Sequence, residues 1–396
     1  MSGIVRIDGV VRDYAWGRPG GISTARGREP GDGPEAELWL GAHPAAPSPV
    51  TSEGPDGAAW PDLSAWESGT GRTLPFLMKL LAAGSPLSLQ AHPGPDQARA
   101  GFDREEAAGI PRDAPGRSFR DPNAKPEVLL AVEDGFEALC GVRPVTEVVA
   151  VLDGLGAQVP SGGLARWRSA LTEASSEAQG VRDALGWLLS GDPLVGDLVR
   201  GITAAEPPDP DVRRLVALLH THHPDDPGIA VALMLHRVTL AAGEALWLAP
   251  GTIHAYLGGL GVEVMGPSDN VLRGGLTGKH VDTDELLRVL DTTPGPPPLL
   301  PPTSLGPGAQ AYRPSTQETG GTVPWQLVAV TGPAEVAAGG PAVALVLEGQ
   351  FTLRTGRPGA PGSGLTLARG EAGLVDHPGD ITLEGSGALY LATTVI

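Results

Sequence analysis

GEALWLAPGTIH, residues 243–254, places an apolar strand between a Gly-Glu turn and a Pro-Gly turn. A shorter echo of this pattern, GEAGLVDHPG, occupies residues 370–379. A strand framed by such turns is typical of jelly-roll barrels, and its repetition indicates two related barrels. Because only the first copy has a histidine after its Pro-Gly turn, His254, we expect a metal in the first barrel and none in the second.

Strand-forming runs between turn clusters extend this β character toward both ends of the chain. Before the quoted stretch they are 4–11, 37–40, 74–81, 86–92 and 127–132. After it they are 325–330, 342–347, 350–355, 364–368, 372–375 and 388–393. The chain is also rich in glycine (57) and proline (40), which favours a turn-rich β protein.

A middle segment has a different periodicity. Leucine, valine, alanine and tryptophan recur there at spacings of three and four, which is typical of amphipathic helices. The predicted helices are 145–155, 164–174, 178–189, 194–202 and 212–220, and the run 228–240 returns to strand-forming residues. The fold class is therefore mainly β with a helical insert.

At 396 residues the chain is longer than one hydrophobic core usually serves, so several domains are expected. A run with seven prolines, 292–308, separates the last barrel from the rest. The predicted units are a first barrel domain (1–143 and 228–291), a helical insert (144–227), a Pro-rich connector (292–317) and a second barrel domain (318–396).

The charge of the chain limits its partners. The formal net charge is −18, which argues against nucleic acid or an anionic membrane surface as a partner. Cys140 is the only cysteine, so no intrachain disulfide is available. Residues 1–16 hold no apolar run typical of a signal peptide. We expect a monomeric, cytoplasmic protein.

Lysine is rare in this sequence. Of 28 basic residues only three are lysine, namely Lys79, Lys125 and Lys279. A chain so biased toward arginine is expected to keep lysine where a compact ammonium is needed. The neighbours of Lys125 and Lys279 favour a functional role for these two in particular.

Four side chains of metal-binding type fall in or beside strands of the first barrel: Gln90, His92, Glu127 and His254. Gln90 and His92 are two apart, so on a strand they point to the same face. Glu127 precedes an apolar run, where an ionised carboxylate needs a cation or a partner. Nitrogen and oxygen donors without a thiolate fit zinc, while non-haem iron remains a chemical alternative.

Residues 261–279 form the densest run of functional side chains, with Glu263, Asp269, Arg273 and Lys279 within seventeen residues. Such a cluster is sometimes only a solvated loop. Here apolar residues separate the charges, which favours a pocket.

Several blocks resemble, in order, those of type I mannose-6-phosphate isomerases. They are 14–17, 37–44, 74–79, 86–93, 125–127, 136–141 and 268–276, and the resemblance reaches from near the N-terminus to about residue 291. It implies a cupin-type catalytic barrel, an α-helical domain and a second cupin-like barrel. It also implies that the chain interconverts mannose 6-phosphate and fructose 6-phosphate by proton transfer through an enediol.

The same resemblance implies site residues. One Zn²⁺ per chain is expected on Gln90, His92, Glu127 and His254. Arg273, Lys125, Glu263 and Asp269 are the expected catalytic residues, with the proton-transfer base open among the last three. The small-molecule sugar phosphate is expected to contact Lys279, Ser88, Trp16 and Tyr256.

Two positions depart from the family pattern. Ala124 stands where the family usually has a histidine before Lys-Pro-Glu, and Gly278 stands where it usually has a proline before the last lysine. The first departure leaves open a cupin that binds sugar phosphate without turnover. A non-haem iron oxygenase is a further alternative, which Gln90 as a fourth ligand disfavours.

Overall fold

The computed structural model describes residues 3–51, 60–159, 161–314, 323–356 and 364–395. The end of the predicted connector, 315–317, and the first residues of the predicted last domain, 318–322, lie outside these ranges.

The strands alternate with turns along the whole chain apart from its middle. They are β1 Ile4–Ile7, β2 Val10–Arg12, β3 Arg18–Pro19, β4 Pro34–Glu35, β5 Glu37–Leu40, β6 Leu77–Ala83, β7 Gln90–Ala91, β8 Glu127–Ala131, β9 Phe136–Val142, β10 Leu235–Leu240, β11 Ala245–Leu248, β12 His254–Met265, β13 Leu272–Arg273, β14 Thr303–Ser304, β15 Ala309–Tyr312, β16 Trp325–Val330, β17 Ala334–Ala338, β18 Ala342–Thr355, β19 Gly364–Ala368, β20 Ala372–Val375 and β21 Gly379–Thr394.

The helices concentrate between β9 and β10. They are α1 Gly21–Ala25, α2 Leu63–Thr70, α3 Pro95–Ala107, α4 Val145–Leu155, α5 Ser161–Thr172, α6 Glu177–Leu188, α7 Pro193–Ala204, α8 Pro210–His222, α9 Gly228–Ala232 and α10 Thr283–Val289, with a 3-10 turn at Gly156–Gln158. The predicted fold class, mainly β with a helical insert, is confirmed.

Two large antiparallel sheets account for most of the described strands. The first has the order β10-β9-β12-β6-β5-β2, with β7, β8, β11 and β13 attached beside it. The second has the order β1-β20-β18-β21-β16-β15-β14, with β17 and β19 attached. Both sequence repeats therefore lie in strands, β11 in the first sheet and β20 in the second.

The predicted strand 4–11 is wrong in one respect, because it is two strands in different sheets. β1 pairs with β20, whereas β2 pairs with β5. The break falls at Gly9, where a Cβ atom would lie 2.5 Å from the Leu38 side chain. A larger residue at this position would clash with the Leu38 side chain. Because β1 and β2 are consecutive but pair in different sheets, the N-terminal segment connects the second sheet to the first.

Four other predicted runs differ from the observed elements. The run 86–92 is a strand only at Gln90–Ala91, and 228–240 begins as helix α9 before β10. The apolar residues of α9 are all buried, and periodicity cannot separate a buried helix from a buried strand. The runs 342–347 and 350–355 form one strand, β18, which continues through a bulge between Val346 and Glu348.

The helical segment is specified by its caps and by its buried face. Ser176, Asp192 and Asp209 each accept a backbone N–H at the start of α6, α7 and α8. The apolar faces of these helices share one core with the first sheet, which contributes Leu139 and Ala255. The helices are therefore held against the edge of the sheet from which His254 projects.

Within the described ranges, every helix is too short or too polar to span a bilayer.

Candidate active site

The fold brings distant residues together through strand β12. Its first residue, His254, lies opposite Gln90 of β7, whereas its last residue, Met265, lies opposite Glu127 of β8. A straight strand of this length would separate its ends by roughly 35 Å. Instead β12 bends at Gly258 and Gly259, where the pairing with β9 shifts and φ of Gly259 is +124°. The sheet curls, and His254 and Glu127 meet inside it.

Three of the predicted metal ligands form a buried cluster. His92 Nε2 lies 3.3 Å from Glu127 Oε1, and His254 Nε2 lies 3.3 Å from Glu127 Oε2. One donor atom from each residue lies within 4.8 Å of the others. The amide nitrogen of Gln90 is 3.4 Å from His254 Nε2, so the fourth predicted ligand adjoins the cluster.

The backbone fixes the orientation of both imidazoles. His92 Nδ1 is 2.7 Å from the Asn270 carbonyl oxygen, and His254 Nδ1 is 2.9 Å from the Thr252 carbonyl oxygen. A carbonyl can only accept, so each Nδ1 carries the proton and each Nε2 presents a lone pair to the cluster. This is the orientation in which histidine binds a metal through Nε2.

These donors suit a divalent cation. Glu127 Oε2 is buried and has no hydrogen-bond partner in the described part of the chain. An unpaired carboxylate oxygen facing two imidazole lone pairs is costly unless a cation binds all three. Burial and the neighbouring Lys125 ammonium lower the pKa of His92 to about 4, which keeps the imidazole neutral and free to bind metal. The nitrogen and oxygen donor set fits zinc.

Lys125 borders the cluster. Its Nζ is 2.8 Å from Glu127 Oε1 and 3.5 Å from His92 Nε2. Burial alone would raise the pKa of Glu127, but the neighbouring Lys125 ammonium holds it well below its ordinary value. Glu127 therefore stays ionised as a ligand.

A cavity of about 600 Å³ opens onto this cluster. Its lining brings together most of the predicted site residues: Trp16, Ser88, Gln90, Lys125, Glu127, Tyr256, Glu263, Asp269, Arg273 and Lys279. His92 and His254 contact Glu127 from behind the lining, at 2% and 1% exposure. The residues of the sequence clusters around 90, 125 and 270 thus share one site.

Both carboxylate oxygens of Glu263 have a partner. The Tyr256 hydroxyl donates to Oε1 at 2.8 Å, and Lys79 Nζ lies 3.2 Å from Oε2. Lys79 also pairs with Glu37 at 3.2 Å, and all three charged groups are buried. Burial, together with the charge of Glu127, raises the pKa of Glu263. Removing one partner from a buried ion pair lowers the free energy of unfolding by about 3–5 kcal/mol, so these three residues also stabilise the cavity wall.

Lys79 and Glu37 were not predicted as site residues, although a signal existed. Lys79 is one of the three lysines, and it lies in β6, whose seven residues are all buried. Burial alone would lower its pKa, yet Glu37 and Glu263 raise it above the ordinary value. A lone lysine within an apolar strand needs such partners, and this need could have identified it.

One part of the cavity rim is cationic. Arg273 and Lys279 lie there with Arg120, a third cation that the sequence did not single out. No carboxylate acts on Arg273 or Lys279 within the described ranges, whereas the charge of Arg120 also acts on Asp269. Burial lowers the pKa of Lys279, and the charges of Arg273 and Arg120 lower it further, which shows that the cations lie close together. Unpaired cations in a chain of net charge −18 mark an anion site.

The helical segment supplies part of the cavity wall. His222 and His223, at the end of α8, both line it. His223 Nε2 lies 3.4 Å from the carbonyl oxygen of Pro86, in the loop that leads to Gln90. The end of α8 therefore forms the part of the cavity wall beside the loop that begins at Pro86.

Known proteins are similar to this chain. A family model described as phosphomannose isomerase type I, catalytic domain, matches residues 4–145. Mannose-6-phosphate isomerase of Escherichia coli is 35% identical over 289 residues, which cover 70% of this chain and 72% of that protein. The chain belongs to the type I mannose-6-phosphate isomerase family. The predicted enzyme class, an isomerase of this family, is confirmed.

The similarity extends to the C-terminal sheet. Mannose-6-phosphate isomerase 1 of Arabidopsis thaliana is 31% identical over 412 residues, covering 96% of this chain and 91% of that protein. A crystal structure of a phosphomannose isomerase mutant from Salmonella typhimurium superposes with a TM-score of 0.84 at 27% identity, over 99% of this chain and 100% of that one. A zinc-bound mannose 6-phosphate isomerase structure gives a TM-score of 0.82 at 27% identity, with the same coverage.

Proposed function

We propose that this chain interconverts mannose 6-phosphate and fructose 6-phosphate through an enediol, with one zinc ion on Gln90, His92, Glu127 and His254. The observation that carries the proposal is the juxtaposition of a buried His-Glu-His cluster with a rim of unpaired cations in one cavity. The cluster suits a sugar's carbonyl and hydroxyl oxygens, whereas the rim suits its phosphate. Zinc, when bound, supplies a Lewis acid that polarises such oxygens and stabilises negative charge on them.

Arg273, Lys279 and Arg120 bind the phosphate dianion. Charge-assisted hydrogen bonds to phosphate are among the strongest that side chains make, and no described carboxylate acts on Arg273 or Lys279. Ser88 contributes a hydroxyl to the lining of the same cavity, and the rings of Trp16 and Tyr256 contact the sugar. Trp16 is itself braced by Tyr14, with ring centroids 5.8 Å apart.

Asp269 is the base that moves the carbon-bound proton. Its pKa lies below the ordinary value, first because His43 hydrogen-bonds to it, so the carboxylate is ready to accept. Glu263 is less suited, since both of its oxygens are engaged and its pKa is raised. Lys125 commits its ammonium to Glu127 and stabilises negative charge beside the metal cluster. Ala124 offers no titratable group, so the transfer does not depend on the family's usual histidine.

The domain division stays part of the proposal. The first barrel domain comprises 1–143 and 228–291, the helical insert 144–227, the connector 292–317 and the second barrel domain 318–396. Helices α4 to α8 support the insert. β1, at the start of the proposed first barrel domain, and β14 and β15, in the proposed connector, pair within the second sheet and so add to the second barrel.

Isomerisation in D₂O tests the enediol. A proton abstracted by Asp269 exchanges with solvent while it resides on the carboxylate, so we expect deuterium on C1 of fructose 6-phosphate and on C2 of mannose 6-phosphate recovered near equilibrium. Mass spectrometry of both sugars measures it, with enzyme-free samples as the control. Complete retention of the substrate hydrogen over many turnovers would instead indicate direct hydride transfer and contradict the proposal.

A further inference from the structure

His43 occupies a buried position behind the cavity wall. It follows β5 in the sequence and is 8% exposed, with its ring edge against Trp39 at a centroid distance of 4.9 Å and an angle of 83°. The backbone N–H of Ala45 donates to His43 Nδ1 at 3.3 Å. Because Nδ1 accepts, the proton of the neutral ring is on Nε2.

The His43 Nε2 atom lies beside the carboxylate of Asp269. The distance from His43 Nε2 to Asp269 Oδ2 is 3.4 Å. The backbone N–H of Asp269 is held separately by Asp121 Oδ2 at 2.8 Å, which fixes the loop that carries it. Asp269 lines the cavity, and its side chain is 46% exposed. One carboxylate oxygen therefore lies beside His43, while the carboxylate as a whole borders the space for substrate.

We propose that His43 is a positioning residue of the isomerisation, which holds Asp269 by Oδ2 so that Oδ1 is presented to the substrate as an ionised base. The inference rests on the proposed function, in which Asp269 accepts the carbon-bound proton. Packing alone does not require this histidine, because an apolar aromatic ring would fill the same space against Trp39. Because His43 Nε2 lies 3.4 Å from Asp269 Oδ2, removing the imidazole is expected to change the orientation and the pKa of Asp269.

The charges around Asp269 give the direction of the pH effect. His43, Lys125 and Arg120 all favour its ionised form, whereas burial opposes it, and Asp121 contacts its backbone N–H. Removing the His43 donor raises the pKa of Asp269. The enzyme then needs a higher pH to ionise its base, so the acidic limb of the kcat/KM profile moves upward.

Two amide variants separate positioning from packing. Glutamine places its N–H near the position of Nε2 and reaches Asp269, whereas the shorter asparagine places it near Nδ1 and does not. We expect His43→Gln to keep most of the kcat. We expect His43→Asn and His43→Phe to lose at least about tenfold in kcat, as the productive geometry of a general base is lost. KM for the sugar phosphate changes little, and the acidic limb shifts upward only in the last two variants.

Asp269→Asn distinguishes failure of this inference from failure of the proposed function. If Asp269→Asn retains wild-type kcat, the assignment of the base is wrong and the inference falls with it. If the kcat of Asp269→Asn is reduced, adding His43→Asn to that variant should reduce kcat no further, because His43 acts through Asp269. A full additional loss there, or equal impairment of His43→Gln and His43→Asn in wild type, would overturn the inference alone. Thermal melting and bound zinc confirm that each variant is folded, and should His43→Phe unfold, the glutamine and asparagine pair decides.

Discussion

Replacing His254 with leucine is expected to remove the metal and to lower kcat by at least about a thousandfold, since Lewis-acid stabilisation supplies several kcal/mol. His254 Nε2 faces Glu127, and its Nδ1 is committed to the Thr252 carbonyl oxygen. Leucine fills similar space but offers no lone pair, so Glu127 keeps an unpaired oxygen. Metal content by mass spectrometry and fructose 6-phosphate formation in a coupled assay measure both effects.

His236→Leu is the matched control. His236 lies in β10, and its Nε2 contacts the Gly295 carbonyl oxygen at 2.7 Å, away from the cavity lining. The same substitution there should leave zinc content and kcat close to wild type. If His254→Leu kept a full complement of zinc, the ligand assignment would be wrong.

Arg273→Met is expected to lower kcat/KM for mannose 6-phosphate by about 10²-fold or more, the scale of losing a preorganised charge in a dry site. Methionine retains much of the side-chain volume but no charge. Burial lowers the pKa of Arg273, and the charge of Arg120 lowers it further. No described carboxylate counteracts these two effects, so the charge of Arg273 is available to the substrate. Steady-state kinetics on the purified variant give the effect.

Comparison with unphosphorylated mannose identifies the group that Arg273 contacts. If Arg273 binds the phosphate, the substitution should change any turnover of mannose little; if Arg273 stabilises the enediolate, kcat/KM for both sugars should fall by the same factor. Arg18→Met is the control, because Arg18 is paired with Glu133 outside the cavity and is partly exposed. If Arg273→Met showed wild-type kinetics, Arg273 would have no role in substrate binding or catalysis.

The local parts of the metal site could be predicted from sequence. Gln90 and His92 are two residues apart, and His254 follows a recognisable turn, so the candidate donors could be named. Their meeting could not be derived, because it depends on the bend of β12 at Gly258 and Gly259 and on the pairing of Glu127 with residues more than a hundred positions away. Local patterns specify strands, whereas sheet curvature depends on long-range packing.

The supporting charges were harder to predict. Lys79 was notable as a rare lysine, but its partners Glu37 and Glu263 lie on the neighbouring strands β5 and β12, which only the sheet order brings beside it. Arg120 is one arginine among many, and its position beside Arg273 and Lys279 follows from the loop fixed by Asn270, whose Oδ1 accepts the Arg120 backbone N–H at 2.7 Å. Composition gives no sign of such a tertiary contact.

The most direct test of a zinc-dependent isomerase is fructose 6-phosphate formation from mannose 6-phosphate, measured before chelation, after chelation and after zinc is restored. We predict that activity disappears with the metal and returns with about one equivalent of zinc per chain, because His92, Glu127 and His254 form one cluster. A folded, zinc-loaded protein that binds mannose 6-phosphate without converting it would contradict this account and indicate a binding protein.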